Sequence, residues 1–106
     1  MLTQSDRQTV AEFTRRLKRT ISVRDVRVFG SRARGNAAPD SGLDVFVVLE
    51  SCTPELRQRI NDIAWEVGFE DDKIISPLVA TVDQLERGPF SASPLLLAIE
   101  QEGVRL

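Results

Sequence analysis

The sequence predicts an α/β (α+β) domain, a small mixed β-sheet with helices packed on it, and two observations carry that expectation. Segments with apolar residues at helical spacing alternate with short runs of Val, Ile, Leu and Phe, the pattern of a sheet covered by helices. The run at 43–49, Leu-Asp-Val-Phe-Val-Val-Leu, is apolar on both parities except at Asp44, as expected of a central strand buried on both faces. The chain has 106 residues, 42% apolar and 28% charged, which suits one soluble globular unit over 1–106.

Taken in order, Ser5-Asp6-Arg7-Gln8 matches a capping box. Val10, Phe13, Leu17 and Ile21 then recur at helical spacing, which predicts a helix over roughly 6–20. Arg15, Arg16, Lys18 and Arg19 crowd its last turns, where positive charge suits the helix dipole. Val26 to Phe29 reads as a short strand broken by Gly30, with room for one helical turn over 31–35 and a loop over 36–42. Thr53-Pro54 starts a second long helix with the stripe Leu56, Ile60, Ile63 and Val67, and Gly68 is expected to close it. Ile74 to Ala80 reads as a third strand, placed at an edge by Pro77. Thr81 to Gln84 is a second capping box, for a helix ended by Gly88-Pro89. Ser93-Pro94 starts the last helix, Gly103 stops it, and residues 104–106 form a terminal strand fragment.

Composition removes several chemistries. The chain has no histidine, which excludes a Ser-His-Asp triad, a histidine base and His-ligated zinc. The one cysteine, Cys52, cannot form an internal disulfide. A net charge of −2 gives no basic footprint for direct nucleic-acid binding. No apolar run is long enough to span a bilayer and no signal peptide opens the chain, so the expectation is a cytoplasmic protein without a membrane. Chemistry is left to carboxylates, hydroxyls, basic side chains and metal ions.

Two features point to where that chemistry lies. Gly30-Ser31 follows a strand and enters a helical turn; glycine lets an anion approach the backbone, and free amides at a helix start point at it. Ser31 adds a hydroxyl, and Arg32 and Arg34 add charge. Asp44 is a charge inside an apolar strand, which calls for a metal ion, an ion pair with Arg27 or Arg32, or an exposed strand end. Asp40, in Pro-Asp-Ser-Gly, is turn chemistry and also an accessory metal ligand by position.

The segment Gly30-Ser31-Arg32-Ala33-Arg34-Gly35 resembles the signature of minimal nucleotidyltransferases of the DNA polymerase β-like superfamily. That signature is Gly-Ser, ten intervening residues, then Asp-any-Asp; here ten residues follow Ser31 before Gly42-Leu43-Asp44. The resemblance covers nearly the whole chain and implies the polymerase β-like nucleotidyltransferase fold. It implies that Gly30 and Ser31, helped by Arg32 and Arg34, hold the triphosphate of a nucleotide such as ATP. It implies two aspartates on the second strand for two Mg²⁺ ions and a third carboxylate as general base or further ligand, with a nucleotide monophosphate passed to a hydroxyl.

The chain departs from that pattern at two positions. Gly42 stands where the first aspartate belongs, and no carboxylate lies around Ser76 to Leu78, where the third belongs; Asp71 and Asp72 come too early. The expectation is therefore a single or weakly held Mg²⁺ on Asp44, with Asp40 as a further ligand. Two functions follow. One is transfer to a hydroxyl supplied by another chain; the other is a non-catalytic binding module, an antitoxin for a helical toxin-like partner. Phe90 and Leu95 to Leu97 are core or a homodimer surface.

Overall fold

The computed structural model describes residues 3–29, 42–87, 94, 97, 99, 101 and 103–105. Helix α1 runs Gln4–Thr20 and bears the predicted stripe, with Val10, Phe13 and Leu17 buried. Its capping box is not the predicted Ser5–Gln8 pair. Thr3 is the cap: its hydroxyl accepts from the Asp6 amide at 2.9 Å, and the Asp6 carboxylate accepts from the Thr3 amide at 3.1 Å. An acid at this position also meets the positive helix end. Ser5 Oγ instead accepts a hydrogen bond from Lys73 Nζ at 2.6 Å.

Strand β1, Val23–Phe29, is longer than predicted and pairs antiparallel with β2, Leu43–Leu49. Helix α2, Pro54–Asp71, is capped by Thr53, whose hydroxyl accepts from the Leu56 amide at 3.1 Å. It carries the chain to β3, Ile75–Thr81, which lies parallel to β2. Thr81 and Gln84 form the predicted capping box of α3, Val82–Glu86. Helical backbone is described at 94, 97, 99 and 101, before β4, Val104–Arg105, which pairs antiparallel with β1. Among the described residues the sheet order is β3-β2-β1-β4, so Pro77 does stand on an edge strand.

Gly68 does not close α2. The helix passes through it to Asp71, and Asp72 ends it in the left-handed region at φ 55°. Glycine is required at 68 for a different reason. A Cβ there would stand 2.5 Å from the Lys73 carbonyl oxygen, where the chain doubles back toward β3. The Lys73 amide donates to the Gly68 carbonyl at 2.8 Å and fixes that approach.

Alternation along the strands gives the sheet two apolar faces. On one, Val28, Leu43, Val45, Val47, Leu49, Ile75 and Val79 pack against α1 and α2. On the other, Phe46, Val48 and Ala80 pack with Ile99, flanked by Phe29, Leu78, Val82 and Leu85. Among the described residues that second cluster does not extend to the end of the sheet where β1 finishes and β2 and β3 begin.

Candidate functional site

Asp44 lies at that end. It is the second residue of β2 and shares a face with Phe46 and Val48. Its register partner on β1 is Phe29, the last residue of that strand, and its register partner on β3 is Ser76. Adjacent strands lie about 4.8 Å apart. A carboxylate, the hydroxyl of Ser76 and the end of the strand that leads into Gly30 are therefore neighbours at one sheet end.

Asp44 is half-buried, and burial pushes its carboxyl above the ordinary aspartate range. No cation among the described residues offsets this. Arg27, one expected partner, sits on the same strand as Asp25 and donates from Nε to its Oδ2 at 2.9 Å. The ionised side chain is thus disfavoured where it stands, and a bound cation would favour it.

The departures from the signature take physical form here. Gly42 lies two residues before Asp44, beside Ile74, whose carbonyl accepts from the Leu43 amide at 2.7 Å. A Cβ at 42 would meet that carbonyl oxygen at 3.2 Å and Ile74 Cγ2 at 3.5 Å, a close but adjustable fit. Ser76 is exposed and stands directly across from Asp44, in the stretch where the third carboxylate was expected. The two early acids are occupied elsewhere. Asp71 Oδ2 accepts from the Thr9 hydroxyl at 2.7 Å, and Asp72 is the α2 cap.

Gly30, Ser31, Arg32, Arg34 and Asp40 lie outside the described residues, as do the helical turn expected over 31–35 and Phe90, Leu95 and Leu96. The described donor set is hard oxygen, one carboxylate and one hydroxyl, which suits Mg²⁺. No group of three or more His, Cys, Asp or Glu is close enough to hold a metal ion among the described residues. These residues fit one ion completed by phosphate oxygens and water; they do not by themselves fit a two-ion clamp.

One feature escaped the sequence reading. Trp65 and Phe69, on α2, are 68% and 74% exposed, and their rings stack with centroids 5.3 Å apart. Ile74, expected within a strand, precedes β3 and is 65% exposed. The available signal was the spacing of Trp65 and Phe69, four residues apart and off the Ile60-Ile63-Val67 stripe. The basic end of α1 also proves to be partly neutralised: Glu12 pairs with Arg15 and Arg16, and Arg16 with Glu70 at 2.8 Å.

Comparison with known proteins agrees with this fold. The family model for the nucleotidyltransferase domain matches residues 8–106. No curated protein matches the chain in sequence. Among solved structures, one assigned as a minimal nucleotidyltransferase superposes with TM-score 0.68 at 23% identity, over 100% of this chain and 97% of that one. A toxin–antitoxin structure with AMP-PNP gives 0.62 at 13% identity, over 97% of this chain and 72% of that one. A mutant of the toxin–antitoxin MntA-HpeT gives 0.61 at 15% identity, over 92% of this chain and 69% of that one. At these identities the likeness shows the fold.

Proposed function

Because the chain belongs to the nucleotidyltransferase-domain family, we propose that it binds one Mg²⁺–nucleoside triphosphate, with Asp44 as the protein's carboxylate ligand and slow or no transfer. The observation that carries the reading is the sheet end where Gly42, Asp44 and Ser76 stand together and only one is an acid. Gly30 and Ser31, with Arg32 and Arg34, are assigned to the phosphates because Phe29, the register partner of Asp44, leads directly into them. Asp40 is assigned as an accessory ligand from the adjoining loop. When bound, Mg²⁺ would neutralise phosphate charge and polarise the phosphoryl oxygens.

Asp44 supplies the anchoring charge, and Ser76 supplies a hydroxyl that can donate to a phosphate oxygen or accept from a bound water. Neither serves as a strong base toward an acceptor hydroxyl. Absence of a positioned base costs about 10²–10⁴-fold in rate. ATP is the nucleotide assigned, supported by the adenine nucleotide in one structural neighbour. Two neighbours are toxin–antitoxin assemblies, which supports a cytoplasmic antitoxin-like role with a helical partner protein for this chain.

Calorimetry with ATP, with and without Mg²⁺, tests the reading. Binding that requires Mg²⁺ and is lost in Asp44→Asn is expected, with little transfer of labelled nucleotide to a partner. Affinity indifferent to both Mg²⁺ and Asp44→Asn would overturn it.

A further inference from the structure

We infer that the Trp65–Phe69 face of α2 is a docking surface for an amphipathic helix of a partner protein whose apolar stripe is bordered by Lys and Arg. The inference rests on the proposal that a partner exists, and not on nucleotide binding.

The face carries an exposed apolar strip built on a stacked aromatic pair. Trp65, Phe69, Ile74 and Pro77 form the apolar side of a groove of about 1140 Å³ between α2, the start of β3 and the start of α1, whose remaining lining is largely polar. With the exposures given above, Trp65, Phe69 and Ile74 hold out roughly 400 Å² of largely apolar surface, the scale at which a patch on a monomer is usually functional. That is about half of one partner's share of a standard interface. The stacked rings, 12° from parallel, are held in place before anything binds, which lowers the ordering cost of association.

Charge selects the occupant. Residues 60–72 contain five acids and no base: Asp62, Glu66, Glu70, Asp71 and Asp72. Glu70 is paired with Arg16, and Asp71 is held by Thr9. Asp62 accepts only from the neutral amide of Gln58, at 2.8 Å. Among the described residues no cation pairs with Asp62, Glu66 or Asp72. Asp62 and Glu66 run beside Trp65 and Phe69 at the same four-residue spacing, and Asp72, just past the helix end, borders the groove on their other flank. Lys73, which follows Asp72 in the chain, is committed to Asp6 at 3.2 Å.

A second copy fits this face poorly. Two α2 helices packed antiparallel about a two-fold axis through the aromatic pair would bring the acidic rows together. A helix with Lys or Arg beside an apolar stripe meets both features. Its own rows repeat about every 6 Å, matching the aromatic and acidic rows at a shallow crossing angle.

Trp65 is the only tryptophan, so its emission reports occupancy directly. The probes are two synthetic amphipathic peptides with the same leucine stripe, one flanked by Lys and one by Glu. The Lys peptide is expected to shift Trp65 emission to the blue and to bind about tenfold or more tighter than the Glu peptide. Glu66→Lys with Asp72→Lys, both exposed, is expected to reverse that order, and Phe69→Ser to abolish the shift. Equal binding of the two peptides, or binding of neither, overturns the proposal. So does a concentration-dependent dimer that shields Trp65 from acrylamide, which would give the face to a second copy. Mg²⁺–ATP affinity, measured on the same samples, reports the nucleotide reading separately.

Discussion

Replacing Gly68 by alanine sets two ordinary effects against each other. Gly68 is inside α2, so alanine should gain about 1 kcal/mol of helix propensity. The new Cβ, however, would lie 2.5 Å from the Lys73 carbonyl oxygen and 3.5 Å from its carbon. Ordinary contact begins near 3.4 Å, so backbone must retreat by nearly an ångström. It cannot retreat freely, because the Lys73 amide is bonded to the Gly68 carbonyl at 2.8 Å and Lys73 Nζ to Asp6 at 3.2 Å. Overpacking of this kind costs about 1–3 kcal/mol, and a weakened backbone hydrogen bond about 1 more. The net expectation is a loss of about 1–3 kcal/mol. In a domain of this size that lowers the melting temperature by roughly 5–15 °C. Circular dichroism melts of the two proteins measure it. A melting temperature that rises, as helix propensity alone requires, would refute the packing argument. The variant should also weaken Mg²⁺–ATP binding, since the displaced segment leads straight into Ser76 across from Asp44.

Three further expectations follow from named contacts. Arg15 and Arg16 beside Glu12 hold its carboxyl down from 4.5 to about 2, so its stabilising effect is complete above pH 4.5 and is lost as pH falls from there toward 2. The gap in melting temperature between the native chain and Glu12→Gln should close across that window and shrink in salt; a gap unchanged at low pH refutes the pairing. Asp6→Ala removes the carboxylate half of the α1 capping box and leaves Lys73, 14% exposed, without its carboxylate, for a loss of about 2–4 kcal/mol in urea unfolding; a loss below about 1 kcal/mol would show the pair to be idle. Burial raises the Asp44 carboxyl, so its ionised form costs stability as pH rises past the ordinary carboxylate range. Asp44→Asn should therefore melt higher at neutral pH, converge with the native chain in acid, and lose the stabilisation that Mg²⁺–ATP confers; a variant that melts lower at neutral pH refutes the burial argument.

The elements that fill both sides of the sheet were legible because periodicity reports burial. Leu43 to Leu49 matches its predicted span, and Thr53-Pro54 and Thr81-Gln84 act as the caps they look like. Local signals failed where a distant segment decided the outcome. Gly68 reads as a helix stop, yet its role is set by the carbonyl of Lys73, and Ser5 reads as a cap, yet Lys73 claims its hydroxyl. Asp44 stood out as a charge in an apolar run, and the run itself fixed its face. Its neighbour Ser76 was legible only as a position lacking a carboxylate, because strand register is a tertiary fact. Trp65 and Phe69 were missed since a helix shows its core stripe more plainly than what its outer face holds out.

The energetics of Asp44 connect the fold to the function. The apolar face of β2 that meets α1 and α2 contains no ionisable side chain, so folding gains nothing from a charge on this strand. On the opposite face Asp44 opposes folding when ionised, and Arg27, a described candidate to relieve it, is committed to Asp25. A cation bound with a polyphosphate would reverse the sign, since it favours the ionised carboxylate by as much as the carboxylate favours it. Gly42 and Ser76 then acquire a physical meaning. Neither adds a like charge beside Asp44, which makes the unliganded domain easier to fold and leaves less fixed negative charge to draw a second ion. If the proposed reading holds, one bound Mg²⁺–nucleotide would release the sheet end from its charge penalty, and nucleotide occupancy and domain stability are expected to rise together.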